Sequence, residues 1–554
     1  MQSGSQIIIQ FLESMGVRVV AGMPGGANLP LYDALHGSKL IHVLARHEQG
    51  GGFIAQGMAR ASGFPGVCFA TSGPGATNLV TALADAKMDS IPLLAITGQV
   101  PRALIGTDAF QEVDTCAMVG PLVKKAYFVS QIDDLFWILP EAWELCSSGR
   151  PGPVLIDVPK DIQVEMTSGD FVSPDFNRPH DLLRVDDSKI QAFLDELQAS
   201  ERPVLYIGGG VISSDSSDLI RKLADTNGIP VVSTLMGLGA FPSDHPWFLG
   251  MLGMHGEAST NFVLEESDLL LAFGVRFDDR ATGKLDEFCS AARVVHVDID
   301  AKELGKLRMP ELAICSDLRE FLNRAMPHVP LNGRGAWKHR IAQLNAQHPS
   351  ENIANDSTGS RETFPAAFLS GLSQMLDAND IITTDVGQHQ MWTAQSYPFK
   401  LPRTFLTSGG LGTMGFGLPA AIGAALAKPD ATVVCISGDG SILLNIQELA
   451  LLHELQLNVK IVVMDNGHLG LVRQQQELFY EDRISAAQFH SAPDFCSLAQ
   501  SFGIQAVRLS GDVSQLKGIL ETNGPALIHV PLESSLNVYP MVAPGKANRE
   551  MIRG

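Results

Sequence analysis

The stretch from Thr432 to Val472 constrains this chain of 554 residues more than any other. It opens on a β-branched run, Thr432-Val433-Val434-Cys435-Ile436, and breaks at Ser437-Gly438-Asp439-Gly440-Ser441. The pattern then predicts a helix through Leu443 to Leu455 and a second apolar strand from Val459 to Met464, closed by Asp465-Asn466. Strand, glycine turn, helix and return strand place a carboxylate and an amide at corresponding strand ends. Gly438 and Gly440 let the main chain approach a bulky anion and expose its N–H groups, and the positive end of the next helix points to the same place. Asp439 and Asn466 offer hard oxygen atoms, which suit a magnesium ion that keeps phosphate oxygens and water as its other partners. Alone, Gly-Asp-Gly also suits a plain strand-to-helix turn with Asp as N-cap. The 24 residues between Gly440 and Asp465 strengthen the metal reading, being enough for one helix and a strand that returns Asn466 beside Asp439.

This segment resembles the thiamin diphosphate motif, Gly-Asp-Gly followed some two dozen residues later by Asn-Asn or Asp-Asn. The same design occurs earlier: the strand Val67 to Thr71, the turn Ser72-Gly73-Pro74-Gly75, a helix from Ala76 to about Lys87 and the strand Leu93 to Thr97, displaced by about 365 positions. Pro74 stands where Asp439 would, so the shape is kept and the metal ligand lost. Two related α/β domains follow, of which only the C-terminal one can hold a metal diphosphate; the resemblance implies that the pyrimidine would sit on the other. There, a helix over residues 6–15 and a short strand over 18–22 end in Pro24-Gly25-Gly26. The strand Leu40 to Ala45 delivers Arg46-His47-Glu48 to its C-terminal edge, and Gly50 to Gly52 open a helix through Arg60. A glutamate buried there by the pyrimidine would have its pKa raised and could share a proton with the ring nitrogen N1′, helping the cofactor lose its C2 proton. Glu48 also fits a helix N-terminal carboxylate stabilised by the dipole.

The length suggests three domains, and 45% hydrophobic, 18% charged and 53 glycine residues form an ordinary α/β composition. No window of eighteen uninterrupted apolar residues and no basic-then-apolar start is present, so a membrane span and a secretory signal are not expected and the cytoplasm is. Seven cysteines without a C-x-x-C read as buried thiols. Net charge −20 argues against a nucleic-acid surface. Expected boundaries are 1–166 for the first domain, 189–330 for a central one, 363–535 for the third and a tail over 536–554. The polar stretches 167–189 and 332–362 read as linkers, the second with an amphipathic patch near Trp337 to Leu344. The central domain shows strands at 204–207, 230–234, 269–273 and 293–297. Gly208-Gly209-Gly210 and Asp298-Ile299-Asp300 suit a nucleotide, although a tight structural turn explains three glycines as well. Met414, among the glycines of 409–417, reads either as an apolar wedge under a bent two-ring cofactor or as a core methionine.

Together, R-H-E-Q-G at 46–50, S-G-P-G-A-T-N at 72–78, G-T-D-A-F-Q-E at 106–112, R-P-G-P at 150–153, G-M-L-G-M-H-G at 250–256, R-F-D-D-R at 276–280, D-V-G-Q-H-Q-M-W at 385–392 and G-T-M-G-F-G at 412–417 resemble the catalytic subunit of acetohydroxyacid (acetolactate) synthases. The resemblance covers about residue 5 to Met551. It implies three doubly wound parallel-sheet domains, the first and third of the thiamin diphosphate-binding fold and the middle one Rossmann-like. It implies decarboxylation of pyruvate and condensation of the two-carbon carbanion with a second pyruvate or with 2-oxobutanoate. By motif position Glu48 activates the cofactor, while Asp439, Asn466 and the main chain of His468 hold Mg2+. Gly25, Val386, Gly387, Gln388, His389 and Gly412 contact thiamin diphosphate, as do Gly438, Gly440, Ser441 and Gly470, with Met414 supporting its bend. Gln111, Lys160 and Arg280 face the substrates, Arg280 as the anchor of the acceptor carboxylate. FAD, not used for redox, would engage Arg150, Gly208 to Gly210, Met254, His255, Gly274 and Arg276, with Asp278, Arg280 and Asp298. A homodimer is the minimum assembly, a dimer of dimers fits too, and a small regulatory subunit is expected.

One departure bears on specificity: Gln475 stands where most members have tryptophan. An indole packs on the extra methyl of 2-oxobutanoate at about 0.8 kcal/mol per methylene, and glutamine offers less, so a weak preference between acceptors is expected. Neighbouring side chains filling the gap would remove the effect. The rival readings are an FAD-dependent pyruvate oxidase, a glyoxylate carboligase, which lacks the glutamate seen here as Glu48, and a non-catalytic homologue.

Overall fold

The strand sequences account for the architecture. Runs such as Val433-Val434-Cys435-Ile436 and Val459 to Val463 are apolar on both faces, a pattern that suits parallel strands covered by helices on either side. The computed structural model, which describes residues 1–169, 185–349, 364–509 and 513–554, contains three six-stranded parallel sheets. The first runs Ile41–Leu44, Val19–Gly22, Gly66–Ala70, Leu93–Gln99, Pro153–Pro159, Lys125–Phe128. The third runs Phe405–Leu406, Ile381–Thr384, Val433–Gly438, Val459–Asp465, Ala526–Pro531, Gln505–Arg508. Counted along each segment the two orders are the same, 2-1-3-4-6-5, so the repeat read from the two glycine turns extends over both sheets. The middle sheet is ordered 3-2-1-4-5-6, the doubly wound dinucleotide-binding arrangement.

Several expectations are corrected. The helix expected from Leu443 to Leu455 is broken into Asp439–Ile442, a 3-10 turn Ile446–Glu448 and Leu449–Leu455. The break occurs where Asn445 leaves the helical path to donate from Nδ2 to Gly415 O at 2.7 Å and Gln49 Oε1 at 3.3 Å. The helix expected from Ala76 is likewise two, Pro74–Asn78 and Val80–Met88. Two middle-sheet strands, Phe248–Met251 and Leu312–Cys315, escaped the strand pattern. The stretch after Asn332 is more than a connector: the helix Gly335–Gln347 buries Trp337, Ile341 and Leu344 against the middle sheet. Arg334, buried ahead of it, donates to Asn227 Oδ1 and to the Leu197 carbonyl. Of the other expected linker, 170–184 lie outside the described residues, as do 350–362 of the second and residue 363, the expected start of the third domain. Residues 536–554 fold back on the chain, with Ala547 bridged to Gly283 and Asn548 Nδ2 donating to Ala281 O.

The first and third domains meet through two helices, Glu48–Ser62 and Gly417–Ala427. The second, Gly-Leu-Pro-Ala-Ala-Ile-Gly-Ala-Ala-Leu-Ala, is small and apolar all round, and Gly417 to Ala425 are buried. Small residues let the backbones touch: a Cβ on Gly57 would lie 2.2 Å from Ala420 O, and one on Gly423 2.0 Å from Ile54 O. Phe53 packs edge-on against Phe416 at 5.4 Å beside this crossing. Gly57→Ala must therefore push the helices apart. It is expected to destabilise the chain by about 1–3 kcal/mol, read as a lowered Tm, whereas Gly37→Ala, whose Cβ meets nothing within 4 Å, leaves Tm unchanged.

Candidate active site

Three strand-end turns of the third domain converge. Gly438 ends the central strand and Asp439 opens the one-turn helix Asp439–Ile442. Asp439 is buried, and its Oδ2 has no hydrogen-bond partner. Burial and the neighbouring Asp465 carboxylate hold its pKa above the usual range, while the hydrogen bond with His529, 2.9 Å from Oδ2, holds Asp465 below it. Asn466 turns Oδ1 to the His468 N–H at 3.0 Å and donates from Nδ2 to Gln388 Oε1 at 2.9 Å. A buried orphan carboxylate oxygen, a second carboxylate and an amide oxygen at adjoining strand ends make a hard donor set that fits magnesium. Among the described residues no group of three or more His, Cys, Asp and Glu is placed to hold a metal ion by itself, so water and phosphate oxygens would have to complete this set.

The surrounding residues knit the turns together. Ser441 Oγ donates to Val386 O at 3.0 Å, and a Cβ on Gly470 would lie 2.1 Å from Gln388 Oε1. Cβ atoms on Gly387 and Gly438 would both press on the His389 ring. Burial lowers the His389 pKa to about 3, leaving a neutral imidazole whose Nε2 is buried and unpartnered. Met414, half-buried, lies between Gly412 and Gly415 with φ +72° and +90°. Its loop is fastened by Gly415 N donating to Asp385 Oδ1 at 2.6 Å.

A second cluster surrounds the Ser72–Gly75 turn of the first domain. Glu48 begins the helix Glu48–Ser62, is buried, and accepts from Asn78 Nδ2 at 2.9 Å. Cβ atoms on Gly25 and Gly75 would both meet Thr71, and one on Gly73 would lie 2.8 Å from Gln111 Cβ. Glu48, Gly25 and Gln111 therefore share one edge, with Phe110 exposed beside them. Lys160, half-exposed at the start of the helix Lys160–Val164, makes no hydrogen bond or ion pair among the described residues. Gln475 lies on the exposed face of the helix Gly470–Phe479. No hydrogen bond among the described residues joins Glu48 to the Gly438–Gly470 cluster of its own chain.

In the middle domain a cavity of about 270 Å³ is lined by Arg150, Gly209, Gly210, Gly274, Arg276 and Asp298, among others. A Cβ on Gly210 would meet Gly274 Cα at 2.5 Å, so only glycine fits this floor, and Gly208 packs on Gly274 O in the same way. Burial raises the Asp298 pKa to about 6. Met254, His255, Asp278 and Arg280 lie apart from this lining. Met254 N donates to Arg280 O at 2.8 Å, and Asp278 caps the helix Asp279–Thr282. His255 is buried with its pKa lowered to about 4, and its Nδ1 lies 3.3 Å from Pro540 O, while the Arg280 side chain is exposed.

Three family models match in order along the chain: the thiamine pyrophosphate enzyme N-terminal binding domain over residues 2–118, the central domain over 190–325 and the C-terminal binding domain over 385–530. The Escherichia coli acetolactate synthase isozyme 1 large subunit is 50% identical over 99% of this chain and 97% of its own length. Isozyme 2 of the same organism is 46% identical over 99% of both, and the Arabidopsis thaliana chloroplastic acetolactate synthase is 44% identical over all of this chain and 84% of its own. The chain belongs to the acetolactate synthase large-subunit family.

What sequence reading missed in this family member is how the two look-alike domains are fastened. Glu448, from the third domain, accepts from Arg46 N at 3.0 Å and His47 N at 3.1 Å, the two amides preceding Glu48. Gln-Glu after a glycine turn carries no motif strong enough to reveal such a long-range clamp. Burial raises the Glu448 pKa to about 7. A carboxyl raised in the folded state binds its proton more tightly there than when unfolded. It therefore contributes stability that is full below the ordinary glutamate pKa and is lost as pH rises through about 7. Chemical denaturation between pH 4.5 and 7 is expected to show this loss for the unmodified chain and a flatter profile for Glu448→Gln; equal slopes would refute the assignment.

Proposed function

We propose that this chain is a thiamin diphosphate-dependent transferase that decarboxylates pyruvate and joins the remaining two-carbon unit to a second pyruvate or to 2-oxobutanoate. The products are 2-acetolactate and 2-aceto-2-hydroxybutanoate, the first common step of branched-chain amino acid biosynthesis. The observation that carries this reading is the family likeness along the whole chain together with intact strand-end chemistry on both look-alike domains.

Bound thiamin diphosphate supplies the carbanion-stabilising centre at which a 2-oxo acid can lose carbon dioxide. The chain's own residues bind, orient and move protons. Asp439 Oδ2, the Asn466 amide oxygen and the His468 main chain would hold Mg2+, whose charge removes the repulsion between Asp439 and Asp465. The N–H groups of Gly440 and Ser441 at the helix start, with Gly438, Gln388, His389 and Gly470 around them, would take the phosphate oxygens. Glu48, buried and oriented by Asn78, would share a proton with the pyrimidine nitrogen. Met414 would sit under the cofactor, and Gln111, Lys160 and Arg280 would face substrate, the cationic pair attracting carboxylates. The glycine-floored cavity beside Arg150, Arg276 and Asp298 would take part of the adenine dinucleotide of FAD.

The family likeness supports a site shared between the first domain of one subunit and the third of a second. The relatives' designation as large subunits supports a smaller partner as well. Among the described residues no helix is long and apolar enough to cross a membrane.

Glu48→Gln keeps the shape and removes the proton site, and is expected to lower kcat about a hundredfold or more while thiamin diphosphate still binds. Unchanged kcat would remove Glu48 from the mechanism. Oxygen or quinone consumption in place of acetolactate release would establish the pyruvate oxidase instead. In competition the chain is expected to favour 2-oxobutanoate only several-fold and Gln475→Trp to raise that ratio; a preference of tens of fold without the change would defeat the reading.

A further inference from the structure

The turn Met88-Asp89-Ser90 ends the helix Val80–Met88 and touches all three domains. All three of its residues line the nucleotide cavity. Two arginines of that cavity are anchored on it: Arg276 Nη1 donates to Met88 O at 2.8 Å, and Arg150 Nε to Ser90 Oγ at 2.8 Å. On its other side the Asp89 side chain, fully buried, accepts from Gly409 N at 3.1 Å and Gly410 N at 2.7 Å. These amides open the glycine loop that carries Met414.

The grip has support behind it. Arg60 Nη2 lies 2.9 Å from Asp89 Oδ2 and 3.1 Å from Asp85 Oδ2, and its Nη1 donates to Thr407 O at 3.0 Å. Asp85 in turn accepts from Thr413 Oγ1 at 3.1 Å and from Ser408 Oγ. Residues 407–413 are thus held at five points by two carboxylates and one guanidinium, all buried. An independent contact joins the same two places: Met236 lines the cavity, and a Cβ on Gly409 would lie 2.3 Å from Met236 Sδ. Desolvated groups this tightly matched have one good arrangement, so displacement on the cavity side is felt on the loop side.

We propose that Asp89 is a positioning residue that couples the nucleotide cavity to the Met414 loop, so that an adenine dinucleotide seated beside Arg150 and Arg276 orders residues 407–416. This rests on the reading of the cavity given above. It gives a nucleotide that takes no electrons a function in the reaction: through Met88 and Ser90 it steadies the turn, and through Asp89 the turn steadies the loop.

Amide hydrogen exchange in peptides spanning 407–416 tests this in the full chain without thiamin diphosphate, with and without FAD, binding being followed by quenching of flavin fluorescence. Bound FAD is expected to slow exchange of that segment about tenfold in the unmodified chain. Asp89→Asn, which turns an amide N–H toward two main-chain donors, is expected to bind FAD and lose the slowing, with exchange in the strand Val459–Asp465 unchanged. Gly410→Ala, whose Cβ would lie 2.8 Å from Asp89 Oδ1 and 2.9 Å from Met88 Cβ, wedges the loop from the turn while keeping every charge in place and is expected to do the same. Slowing undiminished in both variants, or absent in the unmodified chain with FAD bound, would overturn the coupling. Unquenched flavin in the unmodified chain would instead remove the nucleotide from the cavity, and the coupling with it.

Discussion

The contact on which the rest of the molecule depends is the crossing of the helices Glu48–Ser62 and Gly417–Ala427. Both are built from small residues at the contact, and Gly57 and Gly423 bring main chain onto main chain. Contact at that range leaves little room for sliding, because any shift places a Cβ or a carbonyl inside another atom's radius. The crossing therefore fixes where the two look-alike sheets stand relative to each other. Two candidate site residues stand at its ends: Glu48 is the first residue of one helix, and Met414 lies three residues before the other.

Polar groups then set the register that apolar packing alone leaves degenerate. Glu448 reaches across to the amides before Glu48, Asn445 reaches Gln49, and Asp85 and Asp89 reach the loop before the second helix. Removing a carboxylate from water is costly, and burial raises Glu448 and Asp85 accordingly. Each is matched to directed N–H, O–H or guanidinium donors, which offset much of that penalty only in one arrangement. An apolar contact of the same area stabilises as much but tolerates neighbouring arrangements. Here the interdomain carboxylates define one geometry, beside Glu48 at one place and the Met414 loop at the other.

These latches are also what the sequence could not reveal. The sheets were legible because apolar runs, glycine turns and their repetition at a fixed offset are local signals, and the identical strand orders of the first and third domains confirm the repeat. Asp439, Asn466 and Glu48 stand out as candidates because each lies within a few residues of such a turn. Glu448 and Asp89 act across 401 and 321 positions of sequence, and nothing next to them announces the partner. The same holds for the helix Gly335–Gln347: its apolar positions, Trp337, Ile341 and Leu344, are few and its surroundings polar, so the pattern reads as a connector although the helix is buried against the middle sheet. The broken helix after Asp439 failed for a related reason. Leu443 and Leu444 continue a helical pattern, but they stay partly exposed while Asn445 and Glu448 are drawn inward by long-range hydrogen bonds.

The acidic pair of the third domain differs in kind from these latches. Glu448 and Asp89 are surrounded by donors, whereas Asp439 keeps a buried oxygen with none, beside a second carboxylate that His529 already satisfies. Burial and the neighbouring Asp465 carboxylate raise Asp439, while the His529 hydrogen bond lowers Asp465. On the proposed reading a divalent cation would remove that conflict. The first domain, with Pro74 at the corresponding position, has no such conflict and is free to offer a single carboxylic group, Glu48. On the proposed reading the duplicated fold assigns its two halves by charge: the half that keeps the unsatisfied acid would take the metal and the phosphates, and the half that lost it would take the uncharged ring.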